Sequence, residues 1–93
     1  MDDPGKPVRV VLPAVLAALF RGCPREVEVR ARTVGEALAA LEARIPGLHD
    51  RICDSTPAIR RHIRIFADGI GADLDTSLAP GTELLVMTAI SGG

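Results

Sequence analysis

The side chains best suited to chemistry in this 93-residue sequence are two cysteines, Cys23 and Cys53, and two histidines, His49 and His62. A thiolate is a nucleophile and a metal ligand, and an imidazole is a general base and a zinc ligand. The cysteines form no Cys-x-x-Cys pair, however, and neither histidine stands at a zinc-ligand spacing from them. Neither cysteine has an activating neighbour in the sequence. We therefore expect no metal site and two reduced thiols in or near the core, with a disulfide left open.

No other constellation of residues predicts catalysis or a bound cofactor. The sequence contains no Ser-His-Asp pattern, no convincing carboxylate pair and no glycine-rich phosphate loop. The remaining chemistry lies in the closing stretch TAISGG, where Gly92 and Gly93 lack side chains and Gly93 carries a carboxylate. On the Gly-Gly alone, a disordered tail or a cloning remnant is the simpler interpretation. We expect the domain itself not to be an enzyme.

Composition and charge restrict the partners of the domain. The chain is 47% hydrophobic but has only two Phe and no Trp or Tyr, which predicts an aliphatic core without stacking platforms for nucleic acid. A net charge of −1 provides no field that would capture a polyanion or an anionic membrane. The longest apolar run, residues 10–20, is too short to span a bilayer, and no cationic leader opens the chain. We expect one cytoplasmic domain that is a monomer when free.

Alternation of apolar and polar residues predicts the strands of the domain. They are expected at residues 8–12, 26–32, 62–69 and 83–88, with a turn at Asp68-Gly69 and a further candidate edge strand at 72–75. Residues 14–20 are ambiguous, fitting a helical turn or two over the sheet edge. Residues 48–54 are predicted to form an irregular turn with Leu48 and Ile52 tucked inward.

The clearest helix follows Thr33. Thr33 and Glu36 form a capping box, in which each side chain accepts a backbone N–H of the first turn. Apolar residues then recur at helical spacing, and Pro46-Gly47 ends the helix. The apolar stripe comprises Val34, Ala37, Leu38, Leu41 and Ile45.

Strands that pack on one helix predict a two-layer α+β domain with a mixed four- to five-stranded sheet. We expect this domain at residues 8–88, after a disordered N-terminus at 1–7 and before a flexible C-terminal tail at 89–93.

Four stretches resemble the prokaryotic ubiquitin-like sulfur carriers, which include the small subunit of molybdopterin synthase, the thiamin sulfur carrier and the cysteine-biosynthesis carrier. The stretches are VRVVLPAVLAAL, TVGEALAALEARIPGL, HIRIFADG and PGTELLVMTAISGG, and they span most of the chain. Their order, and a Gly-Gly soon after the last strand, carry the resemblance. It implies the ubiquitin-like β-grasp fold, with the first and last strands as a central parallel pair. The loop at 54–61 makes the chain more similar to the molybdopterin or cysteine type than to the thiamin type.

The resemblance also implies a function carried by the tail. An E1-like activating enzyme would use ATP to adenylate the carboxylate of Gly93, and the adenylate would become a thiocarboxylate that gives its sulfur to a biosynthetic partner enzyme. A chain-terminal carboxyl group has a pKa of about 3.3–3.7 and is ionised at pH 7. Gly92 keeps the C-terminal tail narrow because it has no side chain, and Ser91 and Ile90 complete the tail that must enter the site of the activating enzyme. The five residues after Thr88 extend by at most roughly 16–18 Å, enough to reach a buried site.

Outward-facing apolar residues suggest where those enzymes dock. In the β-grasp strand order, four of them fall on adjacent strands, on the sheet face away from the helix, and a contiguous apolar patch indicates an interface. They are Val11, Phe66, Leu85 and Met87. The alternative is that a loop or residues 14–20 cover them.

A basic cluster precedes the third predicted strand. It comprises Arg60, Arg61, His62 and Arg64. A solvated loop and strand face is the favoured interpretation, and contact with an acidic partner surface is the alternative.

Two other functions fit the same sequence. A ubiquitin-like modifier would join Gly93 to lysines of target proteins, and a β-grasp interaction module would carry an inert tail. The pathway that receives the sulfur is open: molybdopterin, thiamin, cysteine or a secondary metabolite.

Overall fold

The structure, a computed structural model, describes residues 6–56 and 58–88. Within these residues the chain forms five strands and three helices. In chain order they are β1 (Val8–Val11), α1 (Ala14–Ala17), β2 (Glu26–Val29), α2 (Val34–Arg44), α3 (Leu48–Ile52), β3 (Ile63–Ala67), β4 (Ile70–Gly71) and β5 (Glu83–Thr88). The predicted tail at 89–93 and most of the predicted N-terminal segment lie outside the described residues.

The five strands form one mixed sheet in the order β2-β1-β5-β3-β4. Strands β1 and β5 are the central parallel pair, and the other neighbours are antiparallel. Because the first and last strands meet in the middle, the C-terminal end of β5 lies next to the C-terminal end of β1. This is the β-grasp order that the resemblance implied, and it confirms the predicted fold class.

Alternation along the strands places one face of the sheet against the helices. Residues at every second position are buried, such as Val8 and Val10 on β1 and Leu84 and Val86 on β5. The stripe of α2 packs on this face, and four of its five predicted members, Val34, Ala37, Leu38 and Leu41, are fully buried. The core is therefore aliphatic, as the composition predicted.

The predicted cap of α2 forms with one difference. The Thr33 Oγ1 accepts a hydrogen bond from the Glu36 N–H at 3.1 Å, as expected. The Glu36 Oε1, however, accepts from the N–H of Arg32 at 2.9 Å and not from that of Thr33. Both bonds satisfy donors at the start of the helix, so the capping function is retained.

The prediction of an irregular turn at 48–54 is wrong, because residues 48–52 form helix α3. Its start is held by Glu42, whose two carboxylate oxygens accept the N–H groups of Gly47 at 2.9 Å and His49 at 2.8 Å. Gly47 has a φ of 97°, which lets the chain reverse between the two helices. The side chains of Leu48 and Ile52 are buried, as predicted.

The edge strand was predicted two residues too late. Asp68 and Gly69, with φ values of 48° and 85°, form a two-residue hairpin loop, and β4 follows at once at Ile70–Gly71. The N–H of Ala72 still donates to the carbonyl of Ile65 on β3 at 2.9 Å, and the chain then leaves the sheet because residues 74–76 bond to the start of α2. The N–H of Gly35 donates to the carbonyl of Leu74 at 3.0 Å, and the N–H of Val34 donates to that of Thr76 at 3.1 Å.

Strand β2 is also shorter than predicted, since it ends at Val29 and not at residue 32. The ambiguous segment at 14–20 begins with the short helix α1, whose Leu16 and Ala17 are buried. Both cysteines are free thiols: Cys53 is buried and Cys23 is half-buried. Burial raises the pKa of both thiols, and the charge of Asp54 adds to this effect at Cys53, so neither is an activated nucleophile.

Candidate docking face and tail root

The sheet face opposite the helices carries an apolar row across its three central strands. Leu85 of β5 is paired with Val11 of β1 on one side and with Phe66 of β3 on the other. The three side chains are half-buried, and none of them belongs to the core cluster or packs against it. They form a separate layer on the open face of the sheet.

Met87 extends this row towards the end of β5. It lies two residues beyond Leu85 on the same face, opposite Arg64 of β3, and is 45% exposed. The structure thus brings together all four residues of the predicted surface, which we call the docking patch (Val11, Phe66, Leu85 and Met87). Segment 14–20 contributes Leu16 to the core cluster on the other side of the sheet. The role of the patch in docking remains a prediction.

Charged residues border the docking patch at the end furthest from the tail. Arg9 of β1 lies between two carboxylates, with its Nη2 3.2 Å from Glu83 Oε2 and its Nε 3.9 Å from Glu26 Oε1. All three side chains are roughly half exposed, so the ion pairs add little stability. Arg9 and Glu83 lie at this end, Glu26 lies beside Val11, and Arg64 is the charged residue beside Met87.

We call Thr88, the last described residue of β5, the tail root. Strand β5 ends at Thr88, opposite Ile63 at the start of β3. On the other side, Ala14 begins α1 three residues beyond the Val11–Leu85 pair, and Thr88 stands three residues beyond it on β5. The turn at 60–62 therefore adjoins the tail root, and α1 begins at the same end of the sheet. The predicted tail residues Ile90, Ser91, Gly92 and Gly93 lie outside the described residues.

The basic cluster predicted from sequence divides into two parts. Arg60 is half-buried and structural: its Nε donates to the Asp50 carbonyl at 2.8 Å and its N–H donates to the Ile52 carbonyl at 2.8 Å. Arg61, His62 and Arg64 are exposed. The exposed part stands beside the tail root because the residue that follows His62 is the partner of Thr88.

Two carboxylates order the loops that lead to the tail root. Hydrogen bonds from the N–H groups of Gly47 and His49 hold the pKa of Glu42 below its usual range. Asp54 accepts the hydroxyl and N–H of Thr56 and the N–H of Ala58, and these bonds lower its pKa in the same way. Their contribution depends on the ionised form.

Sequence analysis did not identify the exposed apolar residues next to the tail root. Val15 on α1 is 57% exposed and Leu19 just after it is 53% exposed. In a segment whose seven residues are all apolar, no pattern distinguishes the buried Leu16 from the exposed Leu19. Only the direction in which α1 packs separates them.

Comparison with known proteins identifies the family. The sequence model described as the ThiS family matches residues 10–93, from the first strand through Gly93. The chain belongs to this family of ubiquitin-like sulfur carriers. The match covers both central strands and the Gly-Gly end.

Individual relatives agree with this assignment. Small archaeal modifier protein 1 of Haloferax volcanii is 36% identical over 61 residues, which cover 66% of this chain and 70% of that protein. A crystal structure of SAMP1 from Haloferax volcanii aligns with a TM-score of 0.79 and 32% identity, over 92% of this chain and 98% of that one. A chain in the crystal structure of the Amycolatopsis orientalis BexX/CysO complex aligns with a TM-score of 0.83 and 24% identity, over 92% and 99%. The last match supports the fold alone, and the relative at 36% identity is named a modifier protein.

Residues 6–56 and 58–88 contain neither a clustered metal-binding site nor a membrane-spanning helix. No group of three or more His, Cys, Asp and Glu side chains is placed there to hold a metal ion. Among the helices of the same residues, none has the length and apolar character needed to cross a membrane.

Proposed function

We propose that this protein is a sulfur carrier whose active group is the carboxylate of Gly93. An E1-like adenylating enzyme activates that carboxylate with ATP, sulfur replaces one of its oxygens, and a biosynthetic enzyme takes the sulfur from the resulting thiocarboxylate. The carrier is a co-substrate in this scheme, and ATP is bound by the activating enzyme. The proposal requires Gly93 to be the last residue of the mature chain.

The observation that carries the proposal is the family match, which continues from the β-grasp body through Gly93. A shared fold alone does not imply a shared function, because one fold supports many functions. Here the matched region includes the two glycines that would do the chemistry. Thr88 ends the last strand, so only five residues separate the body from the proposed reacting group.

The proposed chemistry balances with ATP and sulfide. A carboxylate oxygen of Gly93 attacks the α-phosphorus of ATP, and pyrophosphate leaves. Sulfide then attacks the acyl carbon of the adenylate, AMP leaves with the oxygen that attacked ATP, and a thiocarboxylate remains. Neither step needs a side chain of the carrier, which agrees with two cysteine thiols whose pKa is raised by burial.

A second candidate function is conjugation to other proteins. The relative that is 36% identical is named a modifier protein, so the same activated glycine could be joined to lysine side chains. Both functions need an adenylated Gly93, and they differ in the nucleophile that attacks it. A third candidate, an interaction module with an inert tail, needs no activation.

Intact mass spectrometry separates the three candidates. The purified protein is incubated with ATP, a cognate activating enzyme and a sulfide source. A sulfur carrier gains about 16 Da, the difference between sulfur and oxygen. A modifier instead forms larger covalent conjugates when lysine-containing proteins are added. A variant lacking Gly93 is the control and should give neither product, whereas an unchanged wild-type mass contradicts both proposals and favours the inert tail.

The docking patch provides a surface for these partner enzymes. It is a contiguous apolar area on three adjacent strands, and it leads towards the tail root through Met87. A partner that binds the patch would therefore lie close to the emerging tail. A chain of this fold occurs in the crystal structure of the BexX/CysO complex, which is consistent with a carrier that binds other proteins.

A further inference from the structure

Four large apolar side chains in the described residues are strongly exposed: Val15, Leu19, Ile70 and Met87. Met87 belongs to the docking patch. Ile70 lies on the edge strand β4, next to the hairpin turn at the opposite end of the sheet from Thr88. Val15 and Leu19 are at the tail-root end and are outside the docking patch.

The connection from β1 to α1 fixes the position of these two residues. Pro13 is extended, with φ −70° and ψ 150°, so the chain continues in the direction of β1 until α1 begins at Ala14. Because β1 and β5 are parallel, Ala14 lies at the same end of the sheet as Thr88. Leu16 and Ala17 turn inward and are buried, which leaves Val15 and Leu19 facing solvent beside the tail root.

The short tail forces a partner to approach this surface. Five extended residues span at most roughly 16–18 Å, so an enzyme that holds Gly93 in a nucleotide site must bring its own surface close to Thr88. Whatever flanks Thr88 on the carrier is then covered. An apolar surface that a partner covers contributes favourably to binding because its apolar area is removed from water.

The two sides of the tail root differ in chemistry. The α1 side exposes Val15 and Leu19, with the exposed Arg21 two residues further along the chain, whereas the β3 side exposes Arg61 and Arg64. A partner surface that is complementary to both sides can bind the carrier in only one orientation about the axis of the tail. Complementary surfaces of this kind determine specificity and orientation.

We propose that Val15 and Leu19 form a second docking contact, against an apolar rim around the entrance to the nucleotide site of the adenylating enzyme, with acidic residues of that enzyme facing Arg61 and Arg64. This inference rests on the proposed function and identifies which surface of the carrier the activating enzyme must recognise. The contact is remote from the reacting carboxylate. Its loss therefore weakens binding of the carrier without slowing the chemical step.

The test measures adenylation at varied carrier concentration with Val15→Asp, Leu19→Asp and the matched control Ile70→Asp. All three place a carboxylate at an exposed apolar position, and Ile70 is remote from the tail root. We expect KM for the carrier to rise roughly tenfold in the first two variants, with kcat within about twofold of wild type and the control unchanged. Thermal unfolding of each variant confirms the fold, and Val15→Ser and Leu19→Ser provide milder versions.

A charge reversal tests the other side of the tail root. Arg61→Glu should raise KM, and the effect should shrink at high salt because exposed charges are screened. Arg44→Glu, on the exposed side of α2, is the control and should behave as wild type.

Three outcomes overturn the inference. If Val15→Asp and Leu19→Asp match Ile70→Asp in KM while wild type is adenylated, the contact is wrong and the proposed function stands. If wild type is not adenylated at all, the proposed function fails and the contact fails with it. If sedimentation shows a wild-type dimer that Leu19→Asp converts to monomer, the surface binds a second copy of the chain instead.

Discussion

The outward-facing apolar residues of the central strands lie outside the hydrophobic core. Leu84 and Val86 are fully buried, whereas their neighbours Leu85 and Met87 point to the other face. A two-residue period makes this division unavoidable in a strand. An apolar residue at an outward position contributes little to the core, so its presence in a contiguous row is better explained by a partner.

The most exposed residue of the docking patch gives the first prediction. Met87→Asp places a charge where an apolar partner surface is expected, so the KM for the carrier in adenylation should rise at least roughly tenfold, equivalent to about 1.4 kcal/mol. Urea unfolding should be nearly unchanged because Met87 is 45% exposed. Steady-state AMP formation provides the measurement. Normal KM in a correctly folded Met87→Asp variant rejects the docking patch.

Glu42 gives a prediction of pH dependence. Its pKa is lowered by hydrogen bonds from the N–H groups of Gly47 and His49, so its ionised form favours the folded state. The contribution to stability is complete above the ordinary Glu pKa of about 4.3 and is lost as the pH falls through the lower pKa of the folded state. Glu42→Gln should therefore lower the urea midpoint at pH 7, and the difference from wild type should shrink towards pH 3.

Urea titrations of both proteins at several pH values test this account, with the exposed Glu28→Gln as the matched control. A Glu42→Gln deficit of constant size from pH 7 to pH 3 would show that the carboxylate charge is not what holds the α2–α3 junction.

Secondary-structure elements position the site through their ends. The cap at Thr33 sets where α2 begins, the Glu42 carboxylate joins α2 to α3, and the Asp68-Gly69 turn returns the chain to the sheet edge. The cap and the Glu42 carboxylate accept backbone N–H groups at the ends of helices, and the turn reverses the direction of the chain between two strands. The body that presents the tail is consequently ordered by local hydrogen bonds as well as by its aliphatic core.

Loss of the α2 cap should destabilise the whole domain. Thr33→Ala removes the acceptor of the Glu36 N–H, and the free energy of unfolding should fall by about 0.5–2 kcal/mol. Thr33→Ser keeps the hydroxyl and should lose much less. Chemical denaturation of the two variants makes the comparison, and equal losses in Ala and Ser would assign the effect to packing of the threonine methyl.

Sequence reasoning succeeded for long periodic elements and failed for short ones. Strand β5 was predicted with its observed bounds, and α2 was found from its cap and stripe. Helix α3 was missed because two apolar residues in five give almost no period, and its cap comes from Glu42, six residues earlier. Strand β4 was misplaced because residues 74–76 bond to α2, a tertiary contact that local pattern does not contain.

At the scale of the molecule, the site depends on which strands are neighbours. Alternation marks Val11, Phe66 and Leu85 as outward residues, but only the order β1-β5-β3 makes them adjacent. That order came from resemblance to a family and not from periodicity. Neither periodicity nor the resemblance predicted which residues of α1 are exposed, because this depends on how one helical turn packs on the sheet edge.

The same strand order explains why the C-terminus can act as the active end. Central strand β5 is paired with β1 through Leu85 and with β3 through Thr88, so the last described residue of the strand is held in the sheet by its pairing with Ile63. The proposed reaction needs the last residue to enter a narrow site on another protein. Glycine suits such a passage because it has no side chain and accepts conformations barred to other residues.

The most direct test is ATP–pyrophosphate exchange catalysed by the activating enzyme, with wild type compared with Gly93→Leu. The exchange reports adenylation alone, before any sulfur is transferred. We predict that wild type supports exchange and that Gly93→Leu reduces it on the order of 100-fold or more, since the added side chain displaces the carboxylate from the α-phosphorus. Unfolding of the two proteins should be the same. Exchange at the wild-type rate with leucine in place of the final glycine would contradict the account.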